Sequence, residues 1–174
     1  MKKLYILTLA VVLAVGTLFL SSPALYASAR ETKVMDLNSM TGVPRPYTGA
    51  INAIRGIPGG GLPWVIGSAE GELKANGKLE LQVMGLVIDP NDPAAIARGV
   101  AGTNPSASFK VIVSCLSKDA DENPTTVNTS SALFPADASG NAKIEDKLSL
   151  PQPCIAPIIF VASPAGAWFA ATGF

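Results

Sequence analysis

The strongest constraint on this chain is a stretch in which every second residue is apolar. From Lys78 to Val83, Leu79, Leu81 and Val83 share one parity, while Lys78, Glu80 and Gln82 share the other. That two-residue period belongs to a strand with one face in a core and one in water. Just upstream, Leu73, Gly71 and Ala69 fall on one parity and Glu72 and Glu70 on the other. Together the parities select the turn. A two-residue Asn76-Gly77 loop would set Leu73 against Glu80 and turn one apolar face outward. A three-residue loop, Ala75-Asn76-Gly77, sets Leu73 against Leu79 and Glu72 against Glu80. The longer loop is therefore expected, with Gly77 in the left-handed position of a type I turn plus bulge.

Further strands read from the same period. Phe109 to Leu116 is β-branched and aromatic, with Phe109, Val111, Val113 and Cys115 on one parity. Ala142 to Leu150 alternates through Ala142, Ile144, Leu148 and Leu150, with Asp146 interrupting at an expected bulge. Ile158 to Ala162 and Ala167 to Thr172 flank Ser163-Pro164-Ala165-Gly166 as a hairpin. Shorter candidates lie at Ala50 to Ile54 and Thr125 to Ser131. One helical turn stands out, Asp92 to Gly99, with an N-cap acid, Pro93 at its first position and Gly99 past its end. Residues 30–49 are polar, contain Pro44-Arg45-Pro46, and read as an irregular segment ahead of a single domain over 50–174. Short strands between Gly/Pro turns predict an all-β fold, an antiparallel two-sheet β-sandwich with at most one short helical turn. An immunoglobulin-like architecture is compatible with that pattern. No internal repeat is evident.

The first 29 residues read as a signal peptide. Lys2 and Lys3 precede a nearly continuous apolar run from Leu4 to Leu20, and Ala27-Ser28-Ala29 is an A-x-A exit. The expected location is secreted, with an uncleaved, membrane-tethering leader as the alternative. Residues 30–174 then carry eleven cations against thirteen anions, too near neutrality for a nucleic-acid partner. The apolar run from Ile155 to the C-terminus is punctuated by Pro157, Pro164, Gly166 and Gly173, so stable membrane insertion after leader removal is not expected. Histidine is absent from the chain. Ser-His-Asp and Cys-His catalysis and His-ligated zinc are thereby excluded.

Several residue groups could carry chemistry. Cys115 and Cys154, in an exported chain, are expected to form one structural disulfide rather than a redox pair, because no C-x-x-C spacing exists. Asp119, Asp121 and Asn123 have the D-x-D-x-N opening of calcium loops, but Pro124 occupies the place of the sharp-turn glycine and Ser130 that of the bidentate acid. A solvated polar loop is the favoured reading, and no metal or cofactor is expected. Glu70, Glu72 and Glu80 share the outward face of the hairpin, as paired carboxylates in a glycosidase would. Lys74 and Lys78 lie on that face too, which favours a solvent-facing strand surface. Gly59-Gly60-Gly61 lacks the Gly-Lys-Ser/Thr of a phosphate loop and reads as backbone flexibility before Trp64. Neither a nucleophile elbow nor a Ser-x-x-Lys pair is present. Trp64, Trp168, Phe169 and Tyr47 could form a sugar-stacking platform. Trp168 and Phe169 are adjacent in a strand, so one of them is expected to face outward. Asn128-Thr129-Ser130 is a formal glycosylation sequon.

Gly56-Ile57-Pro58-Gly59-Gly60-Gly61-Leu62-Pro63-Trp64, Ser114-Cys115-Leu116, Leu150 to Pro157 and Trp168 to Phe174 resemble corresponding stretches of a group of small exported bacterial β-rich proteins. The resemblance spans most of residues 30–174. It implies a bacterial, exported setting and brings no activity with it. The reading is a secreted or cell-surface, non-catalytic protein with a structural or interaction role, its partner a protein or glycan at the cell surface. The alternatives are a carbohydrate-binding module, which needs an outward aromatic row, and a His-free carboxylate hydrolase, which needs two acids converging in a cleft.

Overall fold

A computed structural model describes residues 32–173; the leader expected over 1–29 lies outside them. Among the described residues no helix is long and apolar enough to cross a membrane. The first sheet has the order β1 (Lys33–Asp36), β4 (Ser68–Lys74), β5 (Lys78–Met84), β10 (Ala142–Lys147). The second runs β2 (Met40–Gly42), β12 (Trp168–Thr172), β11 (Ile155–Ala162), β7 (Ser108–Lys118), β8 (Pro124–Ser130), with β9 (Phe134–Pro135) also on β7. A short ladder joins β3 (Trp64–Val65) to β6 (Val87–Ile88). All these pairings are antiparallel. The fold is all-β, as the alternation predicts.

The β4–β5 hairpin forms in the expected register, with Leu73 opposite Leu79 and Glu72 opposite Glu80. Gly77 adopts φ +83° and its N–H donates to the Lys74 carbonyl at 2.9 Å. Leu73, Leu79, Leu81, Val83 and Ile144 are buried on the inner face of this sheet. They meet Phe109, Val111, Val113 and Cys115 from β7 in one continuous core. Each fully buried side chain of this size contributes roughly 1.5–3 kcal/mol relative to exposure. The expected helical turn is α1 (Pro93–Ala97), capped by Asp92 and followed by Gly99 at φ +69°.

Four expectations need correcting. Residues 33–42, read as irregular, supply β1 and β2, which add to the edges of the two sheets; these strands are three and four residues long, too short to show a period. Ala50 to Ile54 is not a strand. It is a surface turn between Gly49 (φ +75°) and Arg55 (φ +49°), with Ile51 93 % exposed. Asp146 causes no bulge, because β10 stays in register with β5 through Asp146 opposite Leu79. Its carboxylate instead accepts the Ala132 N–H at 2.8 Å.

The fourth correction concerns Trp168 and Phe169, which are 0 % and 7 % exposed. Neither faces outward, because the second sheet is covered on both sides. Phe169 turns toward the core, stacking on Trp64 at 3.8 Å and meeting Phe109 edge-on at 5.9 Å. Trp168 turns the other way, toward Phe160 and Tyr47. Residues 43–62 form a strap over that second face. It is laced to β12 by the Gly60 N–H to the Trp168 carbonyl (2.8 Å) and the Trp168 N–H to the Pro58 carbonyl (2.9 Å). Gly59 and Gly60 are therefore packing devices rather than a flexible hinge. A β-carbon on Gly59 would lie 1.9 Å from the Tyr47 carbonyl oxygen, and one on Gly60 would lie 3.0 Å from the Phe169 and Trp64 rings.

Cys115 and Cys154 form the expected disulfide. It ties β7 to the start of its neighbour β11 within one sheet. In immunoglobulin domains the bridge spans the two sheets, so the bridge here is of another kind. The Gln152–Pro153 peptide that leads into it is cis.

Candidate functional site

Three surfaces gather the residues that could act chemically. On the outward face of the first sheet, Glu72, Glu80 and Glu145 stand in one cross-strand row over β4, β5 and β10. Glu145 could not be placed there from sequence, because the β5–β10 pairing joins segments separated by most of the chain's second half. Like charges directly opposite one another repel, and here lysines relieve them. Lys74 Nζ lies 3.2 Å from Glu72, Lys78 Nζ 2.6 Å from Glu80, and Lys143 Nζ 2.7 Å from Glu145. Hydrogen bonding to the Lys78 ammonium, then its charge, holds the Glu80 carboxyl below its ordinary range. Each carboxylate of the row is thus paired with a lysine, and the face is a lattice of ion pairs.

The second surface is an open cleft of about 540 Å³ beside α1, lined by Met40, Arg45, Trp64, Asp89, Asn91 and Asp92 among others. Asp92 is its one buried carboxylate. Oδ1 accepts the N–H groups of Ala94 and Ala95 at 3.1 and 3.0 Å, and Oδ2 is held by the Arg45 guanidinium. Desolvation pushes the Asp92 pKa up, but the Ala95 N–H and the Arg45 charge outweigh it, leaving the group below its ordinary value. Both oxygens are committed, so the residue caps the helix and anchors Arg45. Asp89, the other acid of the cleft, accepts the Asn91 N–H at 2.8 Å.

The third is the Asp119–Asn123 loop. Asp119 Oδ1 accepts the N–H groups of Asp121 and Asn123, both at 2.9 Å, and the Asp119 N–H donates to the Asn123 carbonyl at 3.0 Å. The carboxylate is turned onto its own backbone instead of converging with Asp121 on a shared point. The same turn recurs at Asp137–Asn141: Asp137 Oδ1 accepts from Ser139 and Asn141, both at 2.9 Å, and its N–H donates to the Asn141 carbonyl at 3.1 Å. The residues at the fourth position, Glu122 and Gly140, both have positive φ, at 65° and 76°. Backbone N–H donation, first from Asn123 and Asn141 respectively, lowers both aspartate pKa values. Asp-Ala-x-x-Asn at both places was the signal that could have revealed a shared turn. The D-x-D-x-N spacing of Asp119, Asp121 and Asn123 is a by-product of that turn. Among the described residues no group of three or more acidic or cysteine side chains is arranged to hold a metal ion.

The sugar-platform candidates do not assemble on the surface: Trp64, Trp168 and Phe169 are all core residues. A residue that sequence reasoning missed is Arg55. Its guanidinium donates to the Ser114 carbonyl of β7 at 2.7 Å and to the Ala156 carbonyl at 2.8 Å, the latter inside the register shift of β11 between Ile155 and Ile158. No local pattern announces this contact, since the partners lie 59 and 101 residues away. Comparison with known protein families, curated proteins and solved structures finds no match.

Proposed function

We propose that this chain is an exported, non-catalytic protein with a structural or interaction role at the cell surface. The observation that supports the reading is how the candidate chemistry is used. The two cysteines are bonded to each other, and the large rings fill the core. Asp92, Asp119 and Asp137 cap backbone N–H groups, and the row of glutamates is matched by lysines. Side chains committed in this way hold the fold together, and Glu80, Asp92, Asp119 and Asp137 are held below their ordinary pKa range, opposite to the raised value a general acid requires. The disulfide and the A-x-A leader favour an oxidising destination.

Two measurements test the reading. N-terminal sequencing of protein recovered outside the expressing cell is expected to begin at Arg30; retention in the cytosol or a start at Met1 overturns export. Purified protein is expected to leave panels of chromogenic glycosides, esters and peptides unhydrolysed. Turnover that disappears in Glu80→Gln or Asp89→Asn overturns the non-catalytic assignment.

A further inference from the structure

We propose that β8 is an intermolecular edge, through which two copies of this chain pair antiparallel about Asn128. Sheet edges offer rows of unused N–H and C=O groups, and proteins usually guard them with charge, brevity or cover. Among the described residues, three of the four edges of the two larger sheets are guarded. The four-residue β1 carries Lys33 and Asp36, and β10 carries Lys143, Glu145, Asp146 and Lys147. The three-residue β2 is covered by β3, whose Trp64 N–H donates to the Val43 carbonyl at 3.0 Å. A β-carbon on Gly42 would sit 2.1 Å from the Trp64 carbonyl oxygen.

The remaining edge, β8, is different. Its seven residues, Pro-Thr-Thr-Val-Asn-Thr-Ser, carry no charge. Among the described residues no strand pairs with its far side. Its hydrogen-bonding parity is fixed by the Ser131 N–H, which donates to the Val111 carbonyl at 2.8 Å. Bonded and non-bonded pairs alternate along an antiparallel ladder. Given the register, Val113–Thr129, Cys115–Val127 and Ser117–Thr125 are bonded pairs. The N–H and C=O groups of Thr126, Asn128 and Ser130 therefore point away from β7, and these three residues are exposed.

A second copy is the occupant this edge fits. With Asn128 opposite Asn128 of the second copy, Thr126 faces Ser130 in both directions, and about six backbone hydrogen bonds close across the axis. An axis at Val127 closes as many bonds but sets Pro124, which has no N–H, opposite Ser130, so its two outer pairs keep one bond each where every pair about Asn128 keeps two. The strand carries no charge, so no like charges oppose each other in the self-pair. The interface is isologous and closes as a dimer rather than a fibre. The pairing rests on the edge alone: an enzymatic activity would remove the functional reading above and leave it standing, and a single-copy mass would do the reverse.

Sedimentation equilibrium of protein expressed from the full sequence, in non-reducing buffer over a dilution series, is the test. The unaltered protein is expected to reach twice the monomer mass. Asn128→Lys and Asn128→Asp are each expected to sediment as monomers, since like charges then meet on the axis. Mixed together they are expected to regain the doubled mass, with Lys opposite Asp. Both variants lose the Asn128 Nδ2 bond to the Arg55 carbonyl, so the mixture also controls for that loss. Thr126→Pro removes one outward N–H from each copy, two of the roughly six bonds, without touching the β7 ladder, and is expected to weaken pairing about thirtyfold. A single-copy mass for the unaltered protein at every concentration overturns the proposal. So does a doubled mass for Asn128→Lys alone, or a mixture no heavier than its components.

Discussion

Replacing Arg55 tests how the strap is fastened to the second sheet. The side chain donates two charged hydrogen bonds at the irregular start of β11, where Ala156 has φ +44°. A hydrogen bond from a charged donor is worth roughly 1.5–3 kcal/mol when water is excluded. Here the bond to Ser114 is partly buried and the bond to Ala156 is exposed, so water replaces the second at little cost. Arg55→Ala is therefore expected to destabilise by about 2 kcal/mol, lowering a urea midpoint by about 1.3 M at a slope of roughly 1.5 kcal/mol/M. Arg55 itself adopts φ +49°, a conformation that costs an L-residue with a β-carbon roughly 1 kcal/mol more than glycine. Arg55→Gly loses the same guanidinium but relieves that strain, so its midpoint should fall between those of the wild type and Arg55→Ala. The assay is urea unfolding followed by tryptophan fluorescence, which Trp168 beneath the strap makes sensitive to this region. An Arg55→Ala midpoint equal to that of the wild type refutes the latch. A Gly variant weaker than the Ala variant refutes the backbone argument.

Three further outcomes follow from the packing and the turns. Removing the disulfide as Cys115→Ala/Cys154→Ala frees a loop with a sequence separation of 39, and the chain-entropy model puts the loss at about 4 kcal/mol; urea unfolding of the double variant checks it. Gly59→Ala drives a β-carbon into the Tyr47 carbonyl, whereas Gly61 has open space around it. Thermal melts should show a loss of about 3 kcal/mol for Gly59→Ala and less than about 0.5 kcal/mol for Gly61→Ala. Asp119 and Asp137 have lowered folded-state pKa values, so their contribution is present above the ordinary aspartate value of roughly 4 and lost as pH falls through the folded values. Asp119→Asn/Asp137→Asn keeps an accepting oxygen and removes the titration; its stability should decline less from neutral pH to pH 2 than that of the wild type, and equal declines would refute the assignment.

What could be read in advance was whatever the chain encodes within a few residues. The Ala75-Asn76-Gly77 loop was legible because a one-residue slip would have turned Leu73 or Leu79 outward, so parity alone decided it. Asp92-Pro93 announced α1 because cap and first-turn chemistry are local. The cysteine pair was legible through its count and the absence of C-x-x-C spacing, together with the export expected from the leader. The strap was not, because its role depends on what it covers. Gly59 and Gly60 look like flexibility until Tyr47, Trp64 and Phe169 are found within 3.0 Å of where their β-carbons would be. The same omission made Trp168 or Phe169 seem bound to face solvent: strand alternation gives two faces, and nothing local says that both are buried. For the candidate site the limit was pairing order, since Glu145 joins Glu72 and Glu80 only through the β5–β10 ladder.

The strap and the ion-pair lattice together determine where this fold can meet another molecule. A flat partner docking on the first sheet would have to strip water from Glu72, Glu80, Glu145 and their lysines, and burying charge pairs commonly costs as much as it returns. Docking on the second sheet would require displacing residues 43–62, which are held by the Gly60–Trp168 and Trp168–Pro58 bonds and by Arg55. Both broad faces are thus expensive to cover. The edges differ in cost by charge and exposure, and backbone pairing at an edge satisfies N–H and C=O groups without burying an ion. On these grounds β8, whose outward donors at Thr126, Asn128 and Ser130 are flanked by neither lysine nor carboxylate along the strand, is where association costs this fold least.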